Sequence, residues 1–198
     1  MMLWHRDKKY YFNNWRGKYS SDGGVITNQA IHLLDTLIFN FGKISNFDVY
    51  ADFNKNKLQA EDLILINFRH ENGILSSFKA TTRANKNYRS AIDVVGEKGR
   101  IIVKGISLNT FSKFKKNKLV LEKKFSEDFG ENLGAAGGMG FGHKKILKEF
   151  LTKDKKSSKK LEIRENYYLL KVIHSIYNNI HKRKKFNLVK NRQSILGV

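Results

Sequence analysis

The chain has 198 residues, 40% hydrophobic and 12% aromatic, which suits one globular domain with a sizeable core and is short for two. It contains no cysteine, so disulfides, thiolate metal sites and cysteine nucleophiles are excluded, and no apolar run reaches the roughly 20 residues that span a bilayer. Lys and Arg outnumber Asp and Glu 38 to 18, a formal charge of +20 whose economical use is to attract a small anionic ligand.

Residues 1–22 are aromatic and basic without a clear period, and an extended lead-in is expected there. The opening stretch MMLWHRDKKYYF also lacks the apolar core of a signal peptide, so a soluble, cytoplasmic protein is expected. From Val25 to Phe41 the period is helical: Ile31, Leu34, Leu37, Ile38 and Phe41 share an apolar arc, and Gly42 stands where a helix ends. Strand patterns come next. ISNFDVYADF alternates, DLILINFRH is apolar and β-rich, and ENG supplies a hairpin turn before ILSSFKATTR. SAIDVVGEKGRIIVKG predicts a further strand pair, and KFKKNKLVLEKKF two short edge strands about an Asn-Lys turn, with lysines that discourage edge pairing. A glycine-rich loop, GENLGAAGGMGFG, precedes a helix at HKKILKEFLTK, and RENYYLLKVIHSIYNNIHKRKK is a second long helix. Helix, then strands, then helices is the order of an α+β fold: an open, mainly antiparallel sheet with helices packed on one face, in a single unit over 1–198.

Two glycine motifs fail. GGMGFGHKK never completes G-x-G-x-x-G, His143 stands at the Walker lysine position, and no apolar strand leads into either. The best cluster is Asn28, His32 and Asp35, which at about 100° per residue fall within about 60° of one another, in a row that one small polar substrate could touch. A histidine there can take a proton near neutral pH, and an amide one turn away can orient it or the substrate. Gly23 and Gly24 would let a ligand approach the backbone at the helix entrance. The same pattern also fits an interior histidine satisfied by a buried Asp35. His5 and His70 stand alone among polar neighbours, and His174 and His181 lie seven apart on a basic helix. No two histidines have i, i+4 spacing, which disfavours a zinc site. His143, at a glycine-flanked helix start, is a reserve ligand contact. The lysine runs lack interleaved aromatics, which disfavours nucleic acid.

WRGKYSSDGGVITNQAIHLLDTLIFNFG resembles the signature that opens the second domain of the Gfo/Idh/MocA oxidoreductases, and four more matches come after it in order: EDLILINFRHENGILSSFKAT, IDVVGEKGRIIV, GFGHKKILKEFL and ENYYLLKVIHSIYNNI. The resemblance runs from about Tyr10 to Leu188. It implies an NAD(P)-dependent enzyme acting on sugars or sugar nucleotides, and an open sheet whose free face pairs subunits into a homodimer or homotetramer. The family's signature helix presents Asp-x-x-x-His to the reacting sugar carbon. His32 matches the histidine, implying proton acceptor or relay, and Asn28 replaces the aspartate, so it orients without carrying a proton. TNQAIH with asparagine is similar to the branch that oxidises UDP-N-acetyl-hexuronic acids at C3 in surface-polysaccharide and lipopolysaccharide synthesis. Arg16 in WRG is a chemically suitable carboxylate or phosphate contact. Family members carry a Rossmann domain with a glycine fingerprint and a Glu-Lys-Pro motif, and these 198 residues hold neither, having no proline. The expectation is a substrate-binding half that binds no cofactor alone, whose Rossmann partner is lost, truncated or encoded as a separate chain, and which does not turn over without it. A non-enzymatic assembly or sugar-binding module and an anionic-polymer binder are the alternatives.

Overall fold

The computed structural model describes residues 1–12, 15–53, 58–88, 90–105, 108–116, 118–124, 147–148, 151–152 and 163–181. Its helices are α1 (Lys8–Phe12), α2 (Val25–Asn28), α3 (Ile31–Phe41) and α4 (Ile163–His181). Its strands are β1 (Met2–Leu3), β2 (Ile44–Asp52), β3 (Leu63–His70), β4 (Leu75–Thr81), β5 (Ser90–Gly96), β6 (Gly99–Gly105), β7 (Thr110–Lys115) and β8 (Lys118–Lys124). The fold is α+β and mainly antiparallel. The glycine-rich loop, His143 and most of the helix expected at 143–153 lie outside the described residues, although 147–148 and 151 are helical.

Two four-stranded sheets form, in the orders β1-β4-β3-β2 and β5-β6-β7-β8. Only β1 on β4 is parallel among the described pairs. The expected single open sheet is therefore divided, but not cleanly. Met1 and Ala91 exchange backbone hydrogen bonds of 2.7 and 3.0 Å, and the Tyr88 N–H donates to the Leu3 carbonyl at 2.8 Å. β1 is thus bonded on both edges and serves as the seam between the two sheets. This corrects the extended lead-in expected over 1–22: its first residues are sheet, and Lys8–Phe12 is a helical turn whose Tyr10 N–H is capped by Asp7 Oδ1 at 2.9 Å. Nothing local announces β1, because its partners lie some 78 residues away, as in Met2 opposite Ala80.

Alternation sorts the first sheet into two faces. Ile64, Ile66 and Phe68 of β3 point inward, aligned with Val49 and Phe47 of β2 and with Phe78 and Ala80 of β4. Leu33, Leu34 and Leu37 of α3, Val25 and Ile26 of α2, and Leu169, Val172, Ile173 and Ile176 of α4 close over them in one core. Phe68, 2% exposed, meets Phe47, Phe78 and His70 edge-on or tilted at 6.3–6.5 Å, and burying a ring of that size contributes about 1.5–3 kcal/mol. The inward row ends on His70, which is 1% exposed: its Nδ1 is 2.8 Å from the Gly42 carbonyl and its Nε2 is 2.9 Å from Ser76 Oγ. His70 does not stand alone among polar neighbours. It is an interior histidine that pins the end of α3, where Gly42 turns the chain at φ 87°, to β4.

The outer face is open. Its rows across β2, β3 and β4 are Tyr50–Leu65–Lys79, Asp48–Asn67–Ser77 and Asn46–Arg69–Leu75, with Tyr50 53% and Leu75 67% exposed. The last two rows line a shallow concavity of about 440 Å³.

Candidate functional site

The segment SSDGGVITNQAIH does not continue as one helix into LLDTLIFNF. α2 ends at Asn28, Gln29 and Ala30 make a turn, and α3 begins at Ile31. This corrects the continuous helix expected over 25–41, and with it the regular i, i+4, i+7 row of Asn28, His32 and Asp35. Side chains hold the break. Asn28 Nδ2 donates to Asp22 Oδ2 at 2.5 Å, and its Oδ1 accepts from Tyr10 Oη at 3.1 Å and from Gln29 Nε2 at 2.8 Å. Gln29 Nε2 also donates to Tyr10 Oη at 2.7 Å, and Asp22 Oδ1 accepts the Gly17 N–H at 2.7 Å. Asn28 is thus half-buried and fixed on both sides of its amide. His32 and Asp35 are exposed on α3, and among the described residues neither side chain makes a hydrogen bond to the Asn28 network.

Arg16 reaches the same network from the other side. Its guanidinium lies 4.2 Å from the Tyr10 ring centroid and 4.5 Å from that of Trp15, and Nη1 donates to the Tyr10 carbonyl at 3.3 Å. Its Nε is buried with no hydrogen-bond partner among the described residues. Tyr10 is therefore the hub that joins Arg16 to Asn28, and sequence reasoning missed it: YYF carries no motif, and only the fold brings it to α2.

Gly23 and Gly24 are buried and close-packed. Gly23 has φ 66°, and a Cβ there would come within 2.5 Å of Thr27 Oγ1 and 2.8 Å of Tyr177 Oη. A Cβ on Gly24 would fall inside the carboxylate of Glu61. Glu61 is the second residue that the sequence hides. It is 1% exposed, its carbonyl accepts the Val25 N–H at 2.8 Å, and its Oε1 accepts the Ile26 N–H at 3.0 Å. Tyr177 of α4 donates to the same Oε1 at 3.3 Å and accepts the Gly24 N–H at 2.9 Å. Burial pushes the Glu61 carboxyl up to about 7, against the hydrogen bonds from Ile26 and Tyr177 that pull it down. Burial likewise raises the Tyr177 phenol. Glu61 Oε2 has no partner among the described residues. Its neighbour Asp62 takes a different solution: Arg83 binds it through Nε and Nη2 at 2.9 and 2.5 Å, and reaches Asp52 with Nη1 at 2.7 Å.

The described residues contain no group of three or more His, Cys, Asp or Glu able to hold a metal ion, and no helix among them is long and apolar enough to cross a membrane. The first N–H groups of α2 are already taken by Glu61, so that helix start offers no free donors to a phosphate.

A family model described as the GFO/IDH/MocA C-terminal domain matches residues 1–102, just over half of the 198. No curated protein sequence matches the chain. Among solved structures, the WlbA dehydrogenase from Bordetella pertussis, in complex with NADH and UDP-GlcNAcA, is 25% identical with a TM-score of 0.65 over 91% of this chain and 50% of that one. The WlbA dehydrogenase from Chromobacterium violaceum, also with NADH and UDP-GlcNAcA, is 24% identical with a TM-score of 0.66 over the same shares. The biliverdin reductase from Synechocystis, with biliverdin and NADP+, is 12% identical with a TM-score of 0.64 over 89% of this chain and 52% of that one, a likeness of fold. The chain spans about half the length of these structures.

Proposed function

The chain belongs to the GFO/IDH/MocA C-terminal domain family, and from that premise we propose that it is the substrate-binding and oligomer-forming half of an NAD(P)-dependent sugar-nucleotide oxidoreductase. The observation that carries the reading is the rim around Tyr10. It joins a fixed amide, Asn28, to an arginine with no carboxylate partner among the described residues, on the same segment of chain as the exposed His32 and beside a helix entrance filled with protein atoms. Structural likeness to dehydrogenases bound to NADH and UDP-GlcNAcA supports a UDP-hexuronic acid as the substrate class.

Oxidising a secondary alcohol removes a hydride and a proton, and these residues can manage the proton alone. His32 Nε2 or Nδ1 takes it from the sugar hydroxyl. Asn28, unable to ionise and clamped by Asp22, Tyr10 and Gln29, fixes the hydroxyl's direction. Arg16 binds an anionic group of the substrate, Asp35 is a further substrate contact, and His143, outside the described residues, is a reserve one. Gly23 and Gly24 shape the entrance by letting Glu61 and Tyr177 close against the backbone. The hydride acceptor, NAD(P), would be held by a Rossmann-type domain on this or a separate chain, and without one the 198 residues do not turn over. The setting is cytoplasmic synthesis of surface polysaccharide or lipopolysaccharide. The outer sheet face, with Tyr50, Leu65 and Leu75 exposed, pairs copies into a homodimer or homotetramer.

Calorimetric titration tests the division of labour. The chain should give saturable heat with a UDP-N-acetyl-hexuronic acid and none with NADH. Saturable NADH binding, or silence towards every UDP-sugar, contradicts it.

A further inference from the structure

Four arginines among the described residues fall into two kinds. Arg83 and Arg100 each hold carboxylates, Arg83 those of Asp62 and Asp52 and Arg100 that of Asp93. Arg6 and Arg16 hold none among the described residues and are stacked on aromatics instead. Arg6 lies 5.0 Å from the Trp4 ring centroid and 5.2 Å from that of Tyr10. Arg16 lies 4.2 Å from Tyr10 and 4.5 Å from Trp15. The result is a ladder in which ring and cation alternate: Trp4, Arg6, Tyr10, Arg16, Trp15.

Two guanidinium ions on one phenol ring, with no carboxylate bonded to either among the described residues and Asp7 engaged with the Tyr10 N–H, gain from an arriving anion. Stacking fixes each plane by its face and leaves its N–H edge for a ligand. Arg6 uses Nη1 for the His5 carbonyl at 2.8 Å and for Asn87 Oδ1 at 3.4 Å, and Arg16 uses Nη1 for the Tyr10 carbonyl at 3.3 Å. In both, the Nε and Nη2 edge, the edge that matches a carboxylate with two parallel bonds, has no partner among the described residues. Arg16 Nε is moreover a buried donor with no acceptor among the described residues, a costly state. The ladder touches the reacting end of the site, because Tyr10 Oη donates to Asn28 Oδ1 at 3.1 Å.

We propose that Arg6 and Arg16, held on Tyr10, form a clamp for the carboxylate of a sugar acid, and that this clamp sets the preference for acidic over neutral sugar nucleotides. The proposal rests on the substrate reading above. A carboxylate is carried on the same ring as the reacting hydroxyl and keeps a fixed position relative to it, which suits a rigid ladder. A diphosphate hangs on rotatable bonds and does not need one.

The test compares the affinity of a UDP-N-acetyl-hexuronic acid with that of the neutral UDP-N-acetyl-hexosamine of the same configuration, for the unaltered chain and for Arg6→Gln, with a melting curve to check the fold. The unaltered chain should prefer the acid by about tenfold or more. Arg6→Gln should reduce most of that preference while leaving the affinity for the neutral sugar unchanged. Arg6→Lys, which keeps the charge and loses the two-pronged edge, should lie between and serves if Arg6→Gln melts early. Equal weakening of both ligands would assign the clamp to the diphosphate and overturn the proposal, as would an unaltered chain with no acid preference. An unaltered chain that binds neither ligand would overturn the substrate reading itself and take the clamp with it.

Discussion

The two sides of the signature segment are built from similar polar residues and behave in opposite ways. On the floor, Gly24, Thr27, Glu61 and Tyr177 are packed against one another, and their hydrogen bonds run from α2 to α4. On the rim, His32 is exposed and Arg6 and Arg16 face aromatic rings instead of carboxylates. The floor commits its polar groups to holding the fold. The rim leaves them available. A glycine pair followed by a polar helix therefore does not by itself mark where a ligand enters, since here the glycines exist so that a buried carboxyl and a tyrosine can reach the backbone.

The contrast between floor and rim is most exposed to challenge at Gly24. Gly24→Ala places a methyl group inside the Glu61 carboxylate, and a shift of backbone is the only relief. Chemical denaturation should show a loss of about 3 kcal/mol or more. An alanine variant as stable as the parent would mean that the floor is loosely packed.

A smaller effect probes the floor through pH. Burial pushes the folded Glu61 carboxyl up from the ordinary 4.5 to about 7. Between those values the folded state holds more protons than the unfolded one, so stability falls as pH rises through this window, by up to about 3 kcal/mol from this one group. Glu61→Gln keeps an oxygen for the Ile26 N–H and cannot ionise. The difference in stability between parent and variant, followed by urea unfolding from pH 4.5 to 8, should carry the slope. A difference that stays constant with pH would show that Glu61 is not a buried acid.

The smallest effect on stability belongs to the rim. His32→Ala removes an exposed side chain and should change stability by no more than about 0.5 kcal/mol. In an assembly completed by a dinucleotide domain it should nonetheless depress kcat severely. A variant that melts early instead would place His32 among the structural groups.

Much of the scaffold was legible in the chain, because alternation is a local signal. The rows Ile64, Ile66, Phe68 and Phe47, Val49 emerge from counting by two. The same count would have assigned His70 to the interior, as the next inward position after Phe68, where its polar neighbours in sequence suggested a surface. The break between α2 and α3 was not legible. Gln29 and Ala30 are ordinary helix residues, and the helix is interrupted by the capture of Asn28 and Gln29 by Asp22 and Tyr10. Long-range pairing hid the rest. β1 is two residues with partners at Ala80 and Thr81, and Glu61 stands beside Asp62 in a dipeptide that gives no sign which carboxyl is capped by backbone and which is bound by arginine. Arg16, Asn28 and His32 could be picked out by chemistry and by resemblance. Tyr10, which joins two of them, could be found only in three dimensions.

One experiment decides whether the rim is the ligand surface while the floor and the outer sheet are not. Amide and arginine side-chain NMR signals of the chain would be followed while a UDP-N-acetyl-hexuronic acid is added. The shifts should concentrate at Arg6, Tyr10, Arg16, Asn28 and His32. Shifts confined to the concavity between Asn46 and Ser77, or none at saturating ligand, would contradict a ligand-binding rim.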